Sequence, residues 1–219
     1  MGLRKKEADV KHRVHEHYYS HAKESADIHI IENVTEYQLQ DYVDLHFGNV
    51  GWDSRIVKLD PRCFGYGCAR PRIYGIIWNV AYMGQWNPDF PFLEVLSALQ
   101  EANLKDYCTD FPRNGWKVCD LNQMVRNSRG RTECKDGSLM TLTTNSGSLF
   151  SKASRRVMDP VELFTTHALP LTSDQSEAAG APPLGVASAS KTASVRMAGN
   201  AMSLPCVGAI IVAAILGLS

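Results

Sequence analysis

The stretch Asp27-Ile28-His29-Ile30-Ile31-Glu32-Asn33-Val34 decides how the rest of this 219-residue chain is read. Asp27–Ile31 is a short branched apolar run with no breaker, the pattern of a strand buried on both faces of a parallel sheet. A carboxylate and an amide follow at once. Open α/β sheets bind their ligands at the carboxyl ends of the strands, so Glu32 stands where chemistry is expected. Glu-Asn-Val is a common tripeptide, and its weight comes from what surrounds it.

Outward from this strand, helix and strand patterns alternate. Val10, Val14, Tyr18 and Ala22 recur every four residues and predict an amphipathic helix over about Glu7–Glu24. Leu39, Tyr42, Val43 and His46 trace a second helix face. Ser54–Leu59 and Arg72–Trp78 read as strands. Phe92, Val95, Leu96 and Leu99 mark a helix opened by Asp89 and Pro91. Asp159-Pro160-Val161-Glu162 is a helix start on three counts: a capping carboxylate, proline in the first turn and glutamate at the third position. Ser173–Arg196 is rich in Ala, Ser, Gly and Pro and is expected to be a loosely ordered connection. The class is α/β with a mostly parallel sheet. About three strands are visible, too few for a doubly wound sheet, so the chain reads as the second half of one.

Composition narrows the function classes. Hydrophobic residues at 44% and charged residues at 21% exclude wholesale disorder. Lys+Arg and Asp+Glu are both 23, so the chain as a whole is no polycation. Six cysteines without a C-x-x-C pair exclude a disulfide scaffold and a zinc ribbon, and fit a reducing compartment. The charged N-terminus lacks an apolar core, so no secretory signal is expected. Val207–Leu218 is almost wholly apolar, but it contains no basic anchor and reads as a helix buried on both sides rather than a membrane span. His17 and His21 share a helix face without a third ligand nearby, so no metal site is expected. The four tryptophans are expected to pack rather than to stack on bases, although Trp116 could stack. Charge is unevenly placed. Between Arg113 and Arg156 there are nine Lys/Arg against Asp120, Glu133 and Asp136, in a stretch rich in Asn, Ser, Thr and Gly. Loops with basic side chains are what phosphate binding requires, and also what a plain solvated surface looks like.

Two further motifs complete the pattern. Asp60-Pro61-Arg62-Cys63-Phe64-Gly65-Tyr66-Gly67-Cys68-Ala69-Arg70-Pro71-Arg72-Ile73-Tyr74 places two arginines one residue apart before a strand. Met197-Ala198-Gly199-Asn200-Ala201-Met202 is expected to open the C-terminal apolar helix. Together with Glu32-Asn33-Val34 and Arg156–Glu162, and in this order, they resemble the C-terminal part of the cytosine-5 DNA methyltransferases. That family carries Glu-Asn-Val, then Phe-Gly-x-Pro-Gln-x-Arg-x-Arg, a variable target-recognition region, a Leu-Thr-Pro-x-Glu helix start and a late Gly-Asn. The resemblance runs from Ile30 to Leu218. It departs at Gly67-Cys68, where the family has Pro-Gln, and at His167-Ala168-Leu169, where it has Gln-Gly-Phe.

The resemblance implies an incomplete S-adenosylmethionine-dependent methyltransferase sheet, Rossmann-like, with an inserted irregular target-recognition region. It divides the chain at 1–80 for the second half of the catalytic core, 81–155 for target recognition and 156–219 for the return to the core. It implies that Glu32 is the acid that bonds N3 of a flipped cytosine, with Asn33 supporting its backbone. Arg72 would reach the base O2 or orient Glu32, and Arg70 would assist it or bind phosphate. Asn200 and Met202 would face the cofactor S-adenosyl-L-methionine. DNA is the implied partner, with RNA an alternative, in the nucleus of a eukaryote or the cytoplasm otherwise. The family's Pro-Cys nucleophile and Phe-x-Gly-x-Gly turn belong upstream of Glu-Asn-Val, yet no cysteine precedes Glu32. Met1-Gly-Leu-Arg-Lys5 looks like the segment just after the nucleophile loop. The expectation is a chain that starts late, inactive alone, and completed by a second chain or by residues upstream of Met1. Pro205-Cys206 is expected to be buried, inert core.

Overall fold

The computed structural model describes residues 17, 21, 25–48, 51–101, 118–120, 138–144, 149–151, 155–171, 173–182, 185 and 190–218. The strands are β1 (Ile28–Val34), β2 (Trp52–Leu59), β3 (Arg72–Asn79), β4 (Val118–Asp120), β5 (Leu149–Ser151) and β6 (Arg156–Val157). The helices are α1 (Leu39–Phe47), α2 (Val80–Met83), α3 (Phe92–Glu101), α4 (Pro160–Thr165), α5 (Ser173–Ala179), α6 (Lys191–Asn200) and α7 (Leu204–Gly217). The predicted helix over Glu7–Glu24, most of the basic stretch and Trp116 lie outside the described residues.

The chain forms two compact units that interleave along the sequence. The first draws on Met1–Lys58, Ile73–Phe90 and Ala214–Ser219, the second on Leu59–Arg72 and Pro91–Ala213. In the first, three strands pair in the order β1-β3-β2, matching the number legible in the sequence. β3 is the central strand, and its Ile73–Trp78 is buried without interruption, as its apolar run requires. One face packs on α1: Ile31, Ile73 and Ile77 meet Leu39, Tyr42, Val43 and Phe47. Gly75 allows this approach, because a Cβ there would stand 3.1 Å from Leu39 Cδ2. Phe47 meets the Trp52 ring edge-on at 5.2 Å, with the His29 ring 5.3 Å from both. Trp86 lies between Trp78 and Phe90 under the Arg55 guanidinium. Gly217 abuts its indole so closely that a Cβ would come within 2.4 Å of the ring. The three described tryptophans therefore pack, as expected.

The second unit is built around Cys68, Leu139, Leu142, Leu149, Met158, Leu163, Phe164, Val195 and Ala198. Its small sheet has the order β4-β5-β6, with both pairings antiparallel. Loops were expected here. Strands of three, three and two residues are too short for period-2 alternation to show. The expected loose connection over Ser173–Arg196 likewise holds two helices, α5 and most of α6. Ser190 caps the second, its Oγ accepting from the Ala193 backbone N–H at 3.3 Å.

Two readings of the C-terminus change. Met197–Asn200 closes α6 rather than opening the apolar helix, which starts at Leu204 after the extended link Ala201–Ser203. α7 is apolar all round but buried on one side only. Cys206, Ala209, Ile210, Ala213 and Ala214 are buried, whereas Leu204, Ile211, Val212, Ile215 and Leu216 are exposed. By length and composition, Lys191–Gly217 could cross a membrane, with 39% of its most apolar window buried. Core helices meet the same criterion.

Candidate active site

Glu32 and Asn33 sit near the end of β1 in the first unit, both half-buried. The backbone N–H of Val34 donates to Asn33 Oδ1 at 2.9 Å. The amide thus folds onto its own turn and fixes the strand's exit, a local bond typical of Asn.

The arginines follow from the turn before them. Asp60 caps a 3-10 turn at Pro61–Phe64, accepting from the Arg62 backbone N–H at 3.0 Å and from Arg62 Nη2 at 2.8 Å. Gly65 closes the turn at φ 81°, the left-handed region where a Cβ is strained. The chain then runs beside residues 139–142. The Leu139 backbone N–H donates to the Gly67 carbonyl, and that of Ala69 to the Leu139 carbonyl, at 2.6 and 2.7 Å. Thr141 Oγ1 donates to the Ala69 carbonyl at 2.5 Å. Gly65-Tyr66-Gly67 is therefore part of a packed segment. Cys68, where the family pattern has glutamine, is a fully buried thiol.

Arg70 is 3% exposed. Its Nη1 donates to the Leu142 carbonyl at 3.1 Å and its Nη2 to the Gly199 carbonyl at 3.3 Å. The expected phosphate role does not suit a guanidinium buried against backbone. Arg72 is half-buried, its Nη1 donating to the Pro71 carbonyl at 2.8 Å. Gly199 lies against the 143–144 backbone, where a Cβ would come within 2.4 Å of Thr143 C and Thr144 N. Asn200, the last residue of α6, is exposed, and Met202 is 46% exposed. The structure thus joins the arginine segment to the Gly-Asn segment in one unit, across 129 residues of sequence. Glu32 and Asn33 belong to the other unit.

The same cluster contains a residue whose role the sequence left open. His167 is fully buried, and its carbonyl accepts from the Leu204 backbone N–H at 3.0 Å. Among the described residues, neither ring nitrogen has a partner of good hydrogen-bond geometry, although the Ala198 backbone lies beside the ring. Burial, and then the positive guanidinium of Arg70, push the imidazole down from 6.5 to about 4, with Arg72 adding to the effect and the Ala198 contact opposing it. His167 is therefore a neutral imidazole at physiological pH. In the sequence it showed only as a departure from the family pattern.

The next residue gives that departure a physical meaning. Ala168 has φ 57° where the resemblance has glycine, so its Cβ is strained in the left-handed region. Ala168→Gly is expected to raise stability by about 1 kcal/mol. A higher urea midpoint at unchanged m-value checks it, and a lower midpoint would show that the strain is fully compensated.

Asp159–Glu162 caps α4 as predicted. Glu162 Oε2 accepts from the Asp159 backbone N–H at 2.6 Å, and Arg156 holds both Glu162 oxygens at 2.6 Å. The bond with Arg156 leads in holding the Glu162 carboxyl below its ordinary range. Arg156 is thereby committed to a carboxylate. Among the described residues, no three His, Cys, Asp or Glu gather into a metal-binding cluster.

For S-adenosylmethionine, the donor set is a carboxamide and a thioether on one exposed turn. These suit one edge of the cofactor, a polar function against Asn200 and an apolar surface against Met202. They form an edge rather than an enclosure.

No protein-family model and no curated protein sequence matches the chain. Solved structures do. The Dnmt2 methyltransferase of S. pombe superposes with a TM-score of 0.55 at 16% identity, over 88% of this chain and 68% of that one. A Spodoptera frugiperda DNMT2 variant gives 0.50 at 10% identity, over 87% and 67%. At such identities the likeness concerns fold, and the fold is the α/β, Rossmann-like fold of these methyltransferases in an incomplete form.

Proposed function

We propose that this chain is the base-contacting and target-recognition part of a DNA (cytosine-5) methyltransferase. The observation that carries the reading is a strand ending in Glu32-Asn33-Val34 within a fold shared with a methyltransferase over 88% of the chain. S-adenosylmethionine would supply the methyl group. Asn200 and Met202 would hold one edge of it, Glu32 would serve as the acid toward the base, and Arg72 would contact the base. Residues 81–155 would recognise the target. The nucleophile and the remaining cofactor contacts would come from a second chain or from upstream residues, with the protein in the nucleus of a eukaryote or the cytoplasm otherwise. RNA is the alternative substrate. Transfer of labelled methyl groups to cytosine in a duplex, once those parts are supplied, tests the reading; a reconstituted protein that binds duplex without transfer counts against it.

The uneven placement of charge supports a second reading, a catalytically inactive, methyltransferase-derived DNA-binding protein. Its footprint would be the basic stretch from Arg113 to Arg156. Arg156 is engaged with Glu162, which leaves eight of the nine cations in that stretch as candidates. If about six meet phosphates, duplex affinity falls roughly a thousandfold between about 50 and 200 mM salt. Fluorescence anisotropy across that range measures the slope. Salt-independent binding, or none, rules out the electrostatic footprint.

A further inference from the structure

The link Ala201–Ser203 is held at both ends. Before it, the Gly199 carbonyl accepts from Arg70 Nη2, and the close approach of Gly199 to Thr143 and Thr144 fixes the end of α6. After it, the Leu204 backbone N–H donates to the His167 carbonyl. Within it, the Ala201 N–H closes onto the Ala198 carbonyl at 3.2 Å, and Ser203 is buried. Asn200 and Met202 are the side chains left facing outward.

Arg70 connects this link to the rest of the unit. Its backbone lies in the segment paired with residues 139–142, and its side chain extends that pairing to the Leu142 carbonyl before crossing to Gly199. A guanidinium has a fixed, planar set of donors and can satisfy two carbonyls at a set separation. An ammonium is a point charge that reaches them without that planar constraint. A charged donor to a carbonyl in a dry environment makes a strong bond, and one whose loss leaves the carbonyl buried without that donor.

We propose that Arg70 is a positioning residue: its guanidinium, bonded to the Leu142 and Gly199 carbonyls, sets the link from Asn200 to Ser203 so that Asn200 and Met202 are presented outward, with the His167 carbonyl fixing the far end. This assigns Arg70 to the cofactor edge and away from the nucleic acid. The functional half rests on reading Asn200 and Met202 as that edge. The structural half does not.

Amide hydrogen exchange, followed by NMR on the whole chain, separates the two. In Arg70→Lys the planar pair of donors is lost while charge and stem remain. The amides of Ala201 and Leu204 are expected to exchange at least tenfold faster than in the parent. The amides of Ala69 and Leu139 should keep their rates, as should those of Asn79 and Val80 in the first unit. Arg70→Met should give the same local pattern more strongly; if it does not fold, the Lys variant decides alone. Unchanged rates at Ala201 and Leu204 overturn the proposal. So does an equal rise across all amides of the second unit, which is the mark of general destabilisation. Asn200→Ala should leave exchange at Ala201 and Leu204 unaltered while weakening binding of S-adenosylhomocysteine, so a failure of the cofactor reading would appear there as undiminished binding, whatever the exchange rates in the Arg70 variants.

Discussion

Replacing Glu32 by glutamine in the reconstituted enzyme is expected to lower methyl transfer by at least about a hundredfold, the usual cost of removing a positioned acid. The substitution keeps the size and shape of a half-buried side chain on β1, so the fold should survive. What it removes is the ability to hand a proton to a ring nitrogen. Substrate binding should change far less than the rate, because the amide can still form a hydrogen bond. Initial rates with labelled cofactor, together with circular dichroism to confirm folding, make the measurement. Transfer at the parent rate would remove Glu32 from the chemistry and leave Glu-Asn-Val as a strand ending and nothing more.

The second large effect is acid instability centred on His167. In the folded chain this imidazole takes up a proton only near pH 4, whereas an unperturbed histidine does so near 6.5. A lowered value means that the unfolded chain binds the proton first, so stability falls as pH drops through that window. The full loss is about 3 kcal/mol once the pH is below both values. Above pH 6.5 the contribution is flat. The groups acting on the ring are the guanidiniums of Arg70 and Arg72, which stay charged throughout, so the histidine alone titrates within this set. Urea midpoints between pH 7 and 4 should fall more steeply in the parent than in His167→Gln. Parallel curves would mean that the ring gains access to solvent before it is protonated. The Arg156–Glu162 bond also weakens in acid, but below the ordinary carboxylate range and equally in both proteins.

The parts legible in the sequence are those whose pattern is local. β1 and β3 are branched apolar runs, and each appears within a few residues of its predicted bounds; β3 is buried throughout, whereas β1, expected to be buried on both faces, alternates between buried and half-buried because β3 takes the centre of the sheet. The start of α4 was written in Asp159, Pro160 and Glu162, and the capping bond forms. The strands β4 to β6 were not legible, being two or three residues each and defined by partners elsewhere. α5 and α6 were hidden because their Ala and Ser also occur in linkers, while the Gly and Pro residues of the stretch between them disfavour helix and dominated its reading. The site divides along the same line. The residue types at Glu32, Asn33, Arg72 and Asn200 were visible as motifs. Arg70 was visible too, but its partners are carbonyls 72 and 129 residues away, and a backbone carbonyl leaves no trace in a sequence. His167 lacked any signal of its own, since a buried neutral imidazole and a surface one are spelled alike.

The bond from Arg70 to Gly199 also sets a timetable. On a ribosome, residue 70 emerges well before residue 199, and at about 5 to 20 residues per second the interval is roughly 6 to 26 s. In the later part of that interval, once residue 142 has been made, the core residues Cys68 and Leu142 can meet, but Val195 and Ala198 do not yet exist to cover them. The second unit must therefore be finished late, by α6 arriving onto a surface already half assembled. A chain stalled or cleaved before residue 199 would expose that surface, with the Arg70 guanidinium still waiting for its second carbonyl.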